Sequence, residues 1–284
     1  MNEKQGFKFF AVFLNMTWFA LFVLAPGLMV VGISFMTRDI STFFTWPLTL
    51  DHYRELVDTV YAKVLKNSLV YSFNTTVLCL GIGYPFAWFL SRAAAHRRPL
   101  LLMMVIIPFW TSSLIRTYAL VILMKANGLI NTVLLAAGLV TEPVSMLYTD
   151  AAVYVGLVYS LLPFMILPLY AVLEKMDIRL MEAARDLGAG SFQVFVHVVL
   201  PLSLPGIMAG CIMVFLPAMG LFYIPDLLGG AKTMLVGNFI KNQFLTAGNW
   251  PFGSAASVFL LLLMVLMLGI YFFISTRFNR SRAS

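Results

Sequence analysis

The sequence predicts an all-α polytopic membrane protein with six transmembrane helices, and three observations lead there. Of its 284 residues 61% are hydrophobic and only 11% charged, too few charges to cover the surface of a soluble globule of that size. Six apolar runs approach or exceed the roughly 20 residues of helix needed to cross a hydrocarbon core about 30 Å thick. Lys and Arg are also spread unevenly over the segments between those runs, as the positive-inside rule expects.

The first run, Phe9 to Phe35, follows Lys4 and Lys8. It is far longer than the roughly 7 to 15 apolar residues of a secretory signal core, so it reads as a retained span. The second covers Asn67 to Leu90, with mild polar groups at Asn74, Thr75 and Thr76. Asn74-Thr75-Thr76 spells a glycosylation sequon, yet its place inside a span makes interhelical hydrogen bonding the better reading. The third, Leu100 to Leu114, is short, and its outer end, Thr111 to Met124, is ambiguous. The fourth covers Ala151 to Leu173, the fifth Leu202 to Ile224 and the sixth Phe252 to Ser275. Pro26, Pro85, Pro108, Pro163, Pro168, Pro205 and Pro217 each remove a helix hydrogen bond and can kink these helices. Gly206 and Gly210 make a GxxxG step in the fifth, suited to close packing within the chain or against another subunit. Cys79 and Cys211 both fall in spans and read as packing residues.

Placing the N-terminus in the cytoplasm puts Lys4, Lys8, Arg92, Arg97, Arg98, Lys175, Arg179, Arg185, Arg277, Arg280 and Arg282 on that side, in the shorter segments. Arg38, Arg54, Lys63, Lys66, Arg116, Lys125, Lys232 and Lys241 fall on the outer side over considerably more residues. Both termini are therefore expected in the cytoplasm. The net charge of +7 then reflects topology and anionic lipid headgroups and gives no reason to expect nucleic acid.

Ion-coupled carriers keep Asp, Glu, His or Lys inside the membrane, because they must bind or move charge there. These runs hold essentially none, with Arg116, Asp150 and Asp226 read near outer ends and Glu174 near an inner one. A nucleotide site is missing too: in Gly229 to Thr233, GGAKT, Ala stands where a phosphate loop needs Gly before Lys. Energy must come from a partner.

The loop between the fourth and fifth runs, about 174–201, breaks the oily pattern. Leu180, Ala184 and Leu187 follow helical spacing beside Met181, so a short helix ending at Gly188 presents one apolar stripe and a charged opposite face. Ser191 can cap a second helix running through Phe192 and Phe195 toward Pro201. By pattern this is either a membrane-interface loop or an element that docks in a groove of another protein.

Glu182-Ala183-Ala184, three residues, Gly188, nine residues and Val198-Val199-Leu200-Pro201 resemble the EAA loop of permease subunits in binding-protein-dependent ABC importers, with Val198 where that family usually has Ile. Gly83 to Leu90, Pro108 to Arg116, Leu216 to Lys232 and Asn249 to Gly253 resemble the polyamine (spermidine/putrescine) importers of that family. The resemblance implies a type I ABC importer permease fold, with an N-terminal helix and first outer segment over 1–66, a transmembrane domain over 67–275 and a cytoplasmic tail over 276–284. It implies that Glu182, Ala183, Ala184, Asp186, Leu187 and Gly188 couple the chain to an ATPase. It also implies residence in a bacterial inner membrane beside a second homologous permease, two ATPase subunits that bind the ATP and Mg, and a periplasmic polyamine-binding protein. The chain itself is then a non-catalytic subunit without a cofactor.

A path for a polyamine wants sparse carboxylates and aromatic faces for its ammonium groups. Trp110, Phe222, Tyr223 and Asp226 are the residues expected there, although the aromatics also suit interface anchoring and Asp226 a loop cap. An importer for another solute such as an oxyanion would share every coupling feature and use Arg116, and a membrane scaffold without transport is the remaining reading.

Overall fold

The computed structural model of the chain describes residues 3–39, 43–56, 58–230 and 233–283. Among them six helices are long and apolar enough to cross a membrane, at Val12–Ile33, Val60–Arg92, Ser113–Ala136, Asp150–Leu173, Ser191–Gly220 and Trp250–Phe273. Ala231 and Lys232 of the rejected GGAKT stretch lie outside the described residues.

Helix α1 (Glu3–Phe19) continues through a π-helical turn, Ala20–Leu24, into α2 (Ala25–Ile33). A short antiparallel hairpin follows, β1 (Met36–Thr37) with β2 (Thr45–Leu48), then α3 (Asp51–Glu55) and the long α4 (Thr59–Arg92). Next come α5 (Arg98–Ile106), a 3-10 turn (Ile107–Trp110), α6 (Ser113–Met124), α7 (Leu129–Ala136) and α8 (Asp150–Leu173). The loop helices are α9 (Arg179–Asp186) and α10 (Ser191–Val194), the latter running through a π turn (Phe195–Val199) into α11 (Leu200–Gly220). The chain closes with α12 (Tyr223–Gly229), α13 (Val236–Leu245) and α14 (Trp250–Ala283).

Proline explains where these helices deform. A proline ring presses on the carbonyl four residues earlier and offers no N–H to it. For Pro26 that residue is Phe22 and for Pro201 it is His197, each inside a π turn whose widened loop relieves the clash. For Pro225 it is Leu221, where the helix stops and the backbone turns extended at φ −68°, ψ 118°. The fifth span therefore ends at Gly220, short of the expected Ile224, and Tyr223 starts a separate helix.

The third span departs further from expectation. Instead of one run over Leu100–Leu114, a nine-residue α5 and a four-residue 3-10 turn end at Trp110, and Thr111 is extended at φ −87°, ψ 148°. At 1.5 Å per residue that first piece reaches only about 20 Å, too short to cross. The stretch that is long enough is Ser113–Ala136, itself interrupted between Met124 and Leu129. Pro108 sets the break: Thr111 donates both its N–H and its hydroxyl to the Pro108 carbonyl, the latter at 2.7 Å.

Contacts divide the chain into two compact units. One gathers residues 1–63 and 239–265. In it the Ser34 and Tyr53 hydroxyls lie 2.7 Å apart, Arg38 donates to the Ala247 carbonyl at 2.8 Å, and Tyr61 packs edge-on against Phe239 and Phe259. None of its first span's apolar window is buried.

The other unit holds residues 64–238 and 266–284. Its centre is α8, whose Leu161, Met165, Ile166, Leu169, Tyr170 and Leu173 follow helical spacing and form one buried cluster with Cys79, Ala87 and Leu90 of α4 and with Val214 and Ala218 of α11. The GxxxG step packs within the chain. A Cβ on Gly206 would lie 3.0 Å from the Pro168 carbonyl oxygen, and one on Gly210 only 2.6 Å from the Met165 sulfur, so both glycines are what let α11 approach α8. Asn74 donates to the Tyr154 hydroxyl at 2.9 Å, the interhelical role its position suggested.

Candidate functional site

The loop between α8 and α11 forms a compact platform. Asp177 accepts from the Arg179 N–H at 3.0 Å and so holds the entry to α9. At the other end Gly188 takes φ +86°, its N–H reaching the Arg185 carbonyl at 2.8 Å while the Ala189 N–H reaches Ala184 at 3.1 Å. That pair of bonds is the Schellman arrangement, which needs a left-handed residue and favours glycine. Gly190 then precedes α10, and Gln193 Oε1 reaches back to accept from the Gly190 N–H at 2.9 Å. Ser191 is thus the first helical residue, and Gly190 holds the cap position.

The expected apolar stripe of α9 divides. Met181 is buried and Ala184 packs beside it, in the cluster that contains Val194 and Val199. Leu180 is half exposed and Leu187 89% exposed, alongside exposed Glu182, Ala183 and Asp186. A helix of eight residues has room for two faces, and the core claims the one bearing Met181. What projects is a mixed face of small, acidic and apolar side chains around Leu187, continued by Phe192, 78% exposed.

Two contacts tie this platform to the spans. Arg92, at the end of α4, stacks over Trp88 at 4.5 Å and donates to the Met181 sulfur at 3.5 Å. Arg98, entering α5, pairs with Glu174 at 3.3 Å and donates to the Ala93 carbonyl at 2.8 Å. Nothing in residue spacing revealed either contact, since the partners stand 89 and 76 positions apart.

Phe222, Tyr223 and Asp226 meet on α12. The two rings touch edge to face at 6.0 Å. Asp226 is half-buried, and its Oδ1 accepts from Asn238 Nδ2 at 2.5 Å. The same amide donates to the Phe222 carbonyl at 2.7 Å, so Asn238 ties the start of α13 to the first turn of α12. Sequence reasoning passed over Asn238. Helix α12 lies against α8, where a Cβ on Gly156 would meet Leu228 and Ile224 and one on Gly229 would meet Val153. Asp226 therefore belongs to a short helix packed beside the first turns of a span and not to a loose mouth loop. Trp110 stands apart: it ends the 3-10 turn at the break, 82% exposed, and among the described residues shares no hydrogen bond or ring contact with Phe222, Tyr223 or Asp226.

Arg116 does not lie beside an end of α8. It occupies the first turn of α6, past the break, with its guanidinium carbon 4.7 Å from the Phe109 ring and 5.8 Å from that of Tyr159. Tyr159 lies about 14 Å along α8 from Asp150 at 1.5 Å per residue, well inside the span. The break that displaced the third span also moved this charge inward.

Residues 59–282 match the family described as "Binding-protein-dependent transport system inner membrane component". The chain is 51% identical over 280 residues to the Haemophilus influenzae protein named "Spermidine/putrescine transport system permease protein PotB", covering 99% of this chain and 97% of that one. The Escherichia coli (strain K12) protein of the same name is 51% identical over 93% of this chain and 96% of its own. Among solved structures, a bacterial ABC transporter involved in the import of the acidic polysaccharide alginate shares the fold, with a TM-score of 0.77, 18% identity and 96% of each chain covered.

Proposed function

Because the chain belongs to the family of binding-protein-dependent transport system inner membrane components and is a non-catalytic membrane-spanning permease, we propose that it forms, with a second homologous permease, the path by which polyamines enter a bacterial cell. The observation that carries this reading is the identity of about half its residues, end to end, with spermidine/putrescine permeases. Two ATPase subunits bind the ATP and Mg and supply the energy, and a periplasmic binding protein delivers the polyamine. Both termini lie in the cytoplasm, so loop 174–201 faces the ATPases.

In this reading α9 is the coupling helix. Glu182, Ala183, Asp186 and Leu187 meet the ATPase, Ala184 seats the helix on the chain's own core, and Gly188 ends it. Motion of the ATPase passes through Met181 into Arg92 and α4. A rigid contact is what transmits it, since a packed core moves as a body and does not deform continuously. Asp226 with Phe222 and Tyr223 offers the cargo one carboxylate and two ring faces near the periplasmic side, and Trp110 offers a further ring deeper in.

The second reading, an oxyanion importer, is favoured by one observation, the arginine at membrane depth. Uptake decides between them. The chain is reconstituted with its second permease, ATPase and binding protein, and ATP-dependent entry of labelled spermidine, putrescine and molybdate is measured. Polyamine uptake without molybdate uptake supports the proposal; the reverse sinks it.

A further inference from the structure

Arg116 sits beside the middle of α8, over Tyr159, and among the described residues no acid pairs with it. Of the chain's 12 Asp and Glu residues, only Asp150 falls within any crossing helix, and it is the first residue of α8. Among the described residues nothing accepts a hydrogen bond from the Arg116 guanidinium, and its Nε is fully buried without a partner. Among the described residues its charge meets two aromatic faces and no acceptor. A guanidinium carries five N–H donors, and ring faces attract its charge without satisfying them. Its place in the first turn of α6 adds to the cost, because a helix N-terminus is already the positive end of the helix dipole.

The surroundings show which side is open. Arg116 borders a cavity of about 190 Å³ with Phe86 of α4 and Pro108, Phe109, Tyr159 and Pro163. Phe86 stands about 9 Å along α4 from Arg92, and Pro163 about 15 Å along α8 from Leu173, so the cavity walls lie well within both spans. Arg116 is half-buried and Tyr159 42% exposed, which turns this site toward the outside of the chain at membrane depth. The ends of α4 and α8 nearest these walls lie about 9 Å or more away along the helices, so a lipid phosphate is a long reach for the side chain. A facing helix is not.

We propose that Arg116 forms an intramembrane ion pair with an Asp or Glu side chain on a membrane-spanning helix of the second permease. The inference rests on the reading of this chain as one of two permeases. Charge complementarity selects the occupant: a desolvated guanidinium takes a carboxylate in two parallel hydrogen bonds, and the pair removes a positive charge that would otherwise repel a cationic cargo. Breaking such a pair from one side leaves the other charge buried and unpaired, which is strongly destabilising.

The test uses the whole complex of this chain, its second permease and its ATPase. Arg116→Lys, Arg116→Gln and Arg116→Glu are compared at matched membrane level, reading the second permease co-purified with this chain and the uptake of labelled spermidine. Arg116→Glu is expected to reduce both by about tenfold or more, with Arg116→Lys retaining the larger part. Each Asp and Glu within the spans of the second permease is then changed singly to Arg in the Arg116→Glu background. One of these reversals is expected to restore both readouts while being damaging by itself. Wild-type assembly and uptake in Arg116→Gln and Arg116→Glu, or losses that no reversal restores, overturn the pair. A wild-type complex that assembles but imports no polyamine would remove the polyamine reading, and co-purification with the charge reversals would still decide the pair.

Discussion

Nη2 of Arg92, in the last turn of α4, lies 3.5 Å from the sulfur of Met181, in the middle of α9. Met181 is 8% exposed, and the guanidinium above it is steadied by the Trp88 ring. The eight-residue helix is therefore anchored to the spans by one buried side chain as well as by its two chain ends.

Met181→Ala is expected to cost about 2–3 kcal/mol in the seating of α9, the ordinary loss for truncating a buried methionine. ATPase subunits should still co-purify, because the projecting face is intact, while substrate-stimulated ATP hydrolysis falls. Wild-type stimulation in this variant would show that α9 is held by other means.

Leu187→Asp separates the two faces. At 89% exposure Leu187 contributes little to this chain's own stability, so membrane level and thermal unfolding should stay within about 0.5 kcal/mol of wild type. Co-purified ATPase should drop several-fold. An unchanged ATPase yield would remove Leu187 from the interface.

Gly188 tests backbone alone. No heavy atom lies within 4 Å of where its Cβ would be, so only φ +86° resists substitution. Gly188→Ala should cost about 1–2 kcal/mol, Gly188→Asn less and Gly188→Val more. Stimulated ATP hydrolysis ranked Gly, Asn, Ala, Val confirms the cause; equal activity across the series means the turn is dispensable.

Asp226→Asn keeps an oxygen for the Asn238 amide and deletes the charge. If an ammonium of the cargo meets this carboxylate, uptake at low salt should weaken by about fivefold, the equivalent of about 1 kcal/mol for a partly wet ion pair. Asp226→Ala should also loosen α12. Unaltered spermidine and putrescine kinetics in Asp226→Asn would leave the residue a structural one.

Gly210→Leu should cost about 1–3 kcal/mol through overpacking, since even a Cβ there would lie 2.6 Å from the Met165 sulfur. The readout is the thermal unfolding of the purified chain. Full stability would mean that α8 can yield.

The sequence by itself determined the membrane class, the number of crossings and the loop between the fourth and fifth of them, because bilayer length and apolar composition are local properties of a run of residues. It also made the end of α9 legible, since a left-handed Gly188 after a short amphipathic helix is a signal carried within a few positions. What it left open depends on pairs far apart in the chain. The third and fifth spans break where Pro108 and Pro225 disturb a helix whose composition would let it continue, and only the neighbours decide whether a proline kinks a helix or ends it. Met181 turned inward because the core had room for one face of α9, and Asn238 joined Asp226 because α13 starts against the end of α11. Arg116 reached membrane depth because the break at Thr111 sets α6 beside the middle of α8. Depth is a coordinate relative to other helices, and no run of letters contains it.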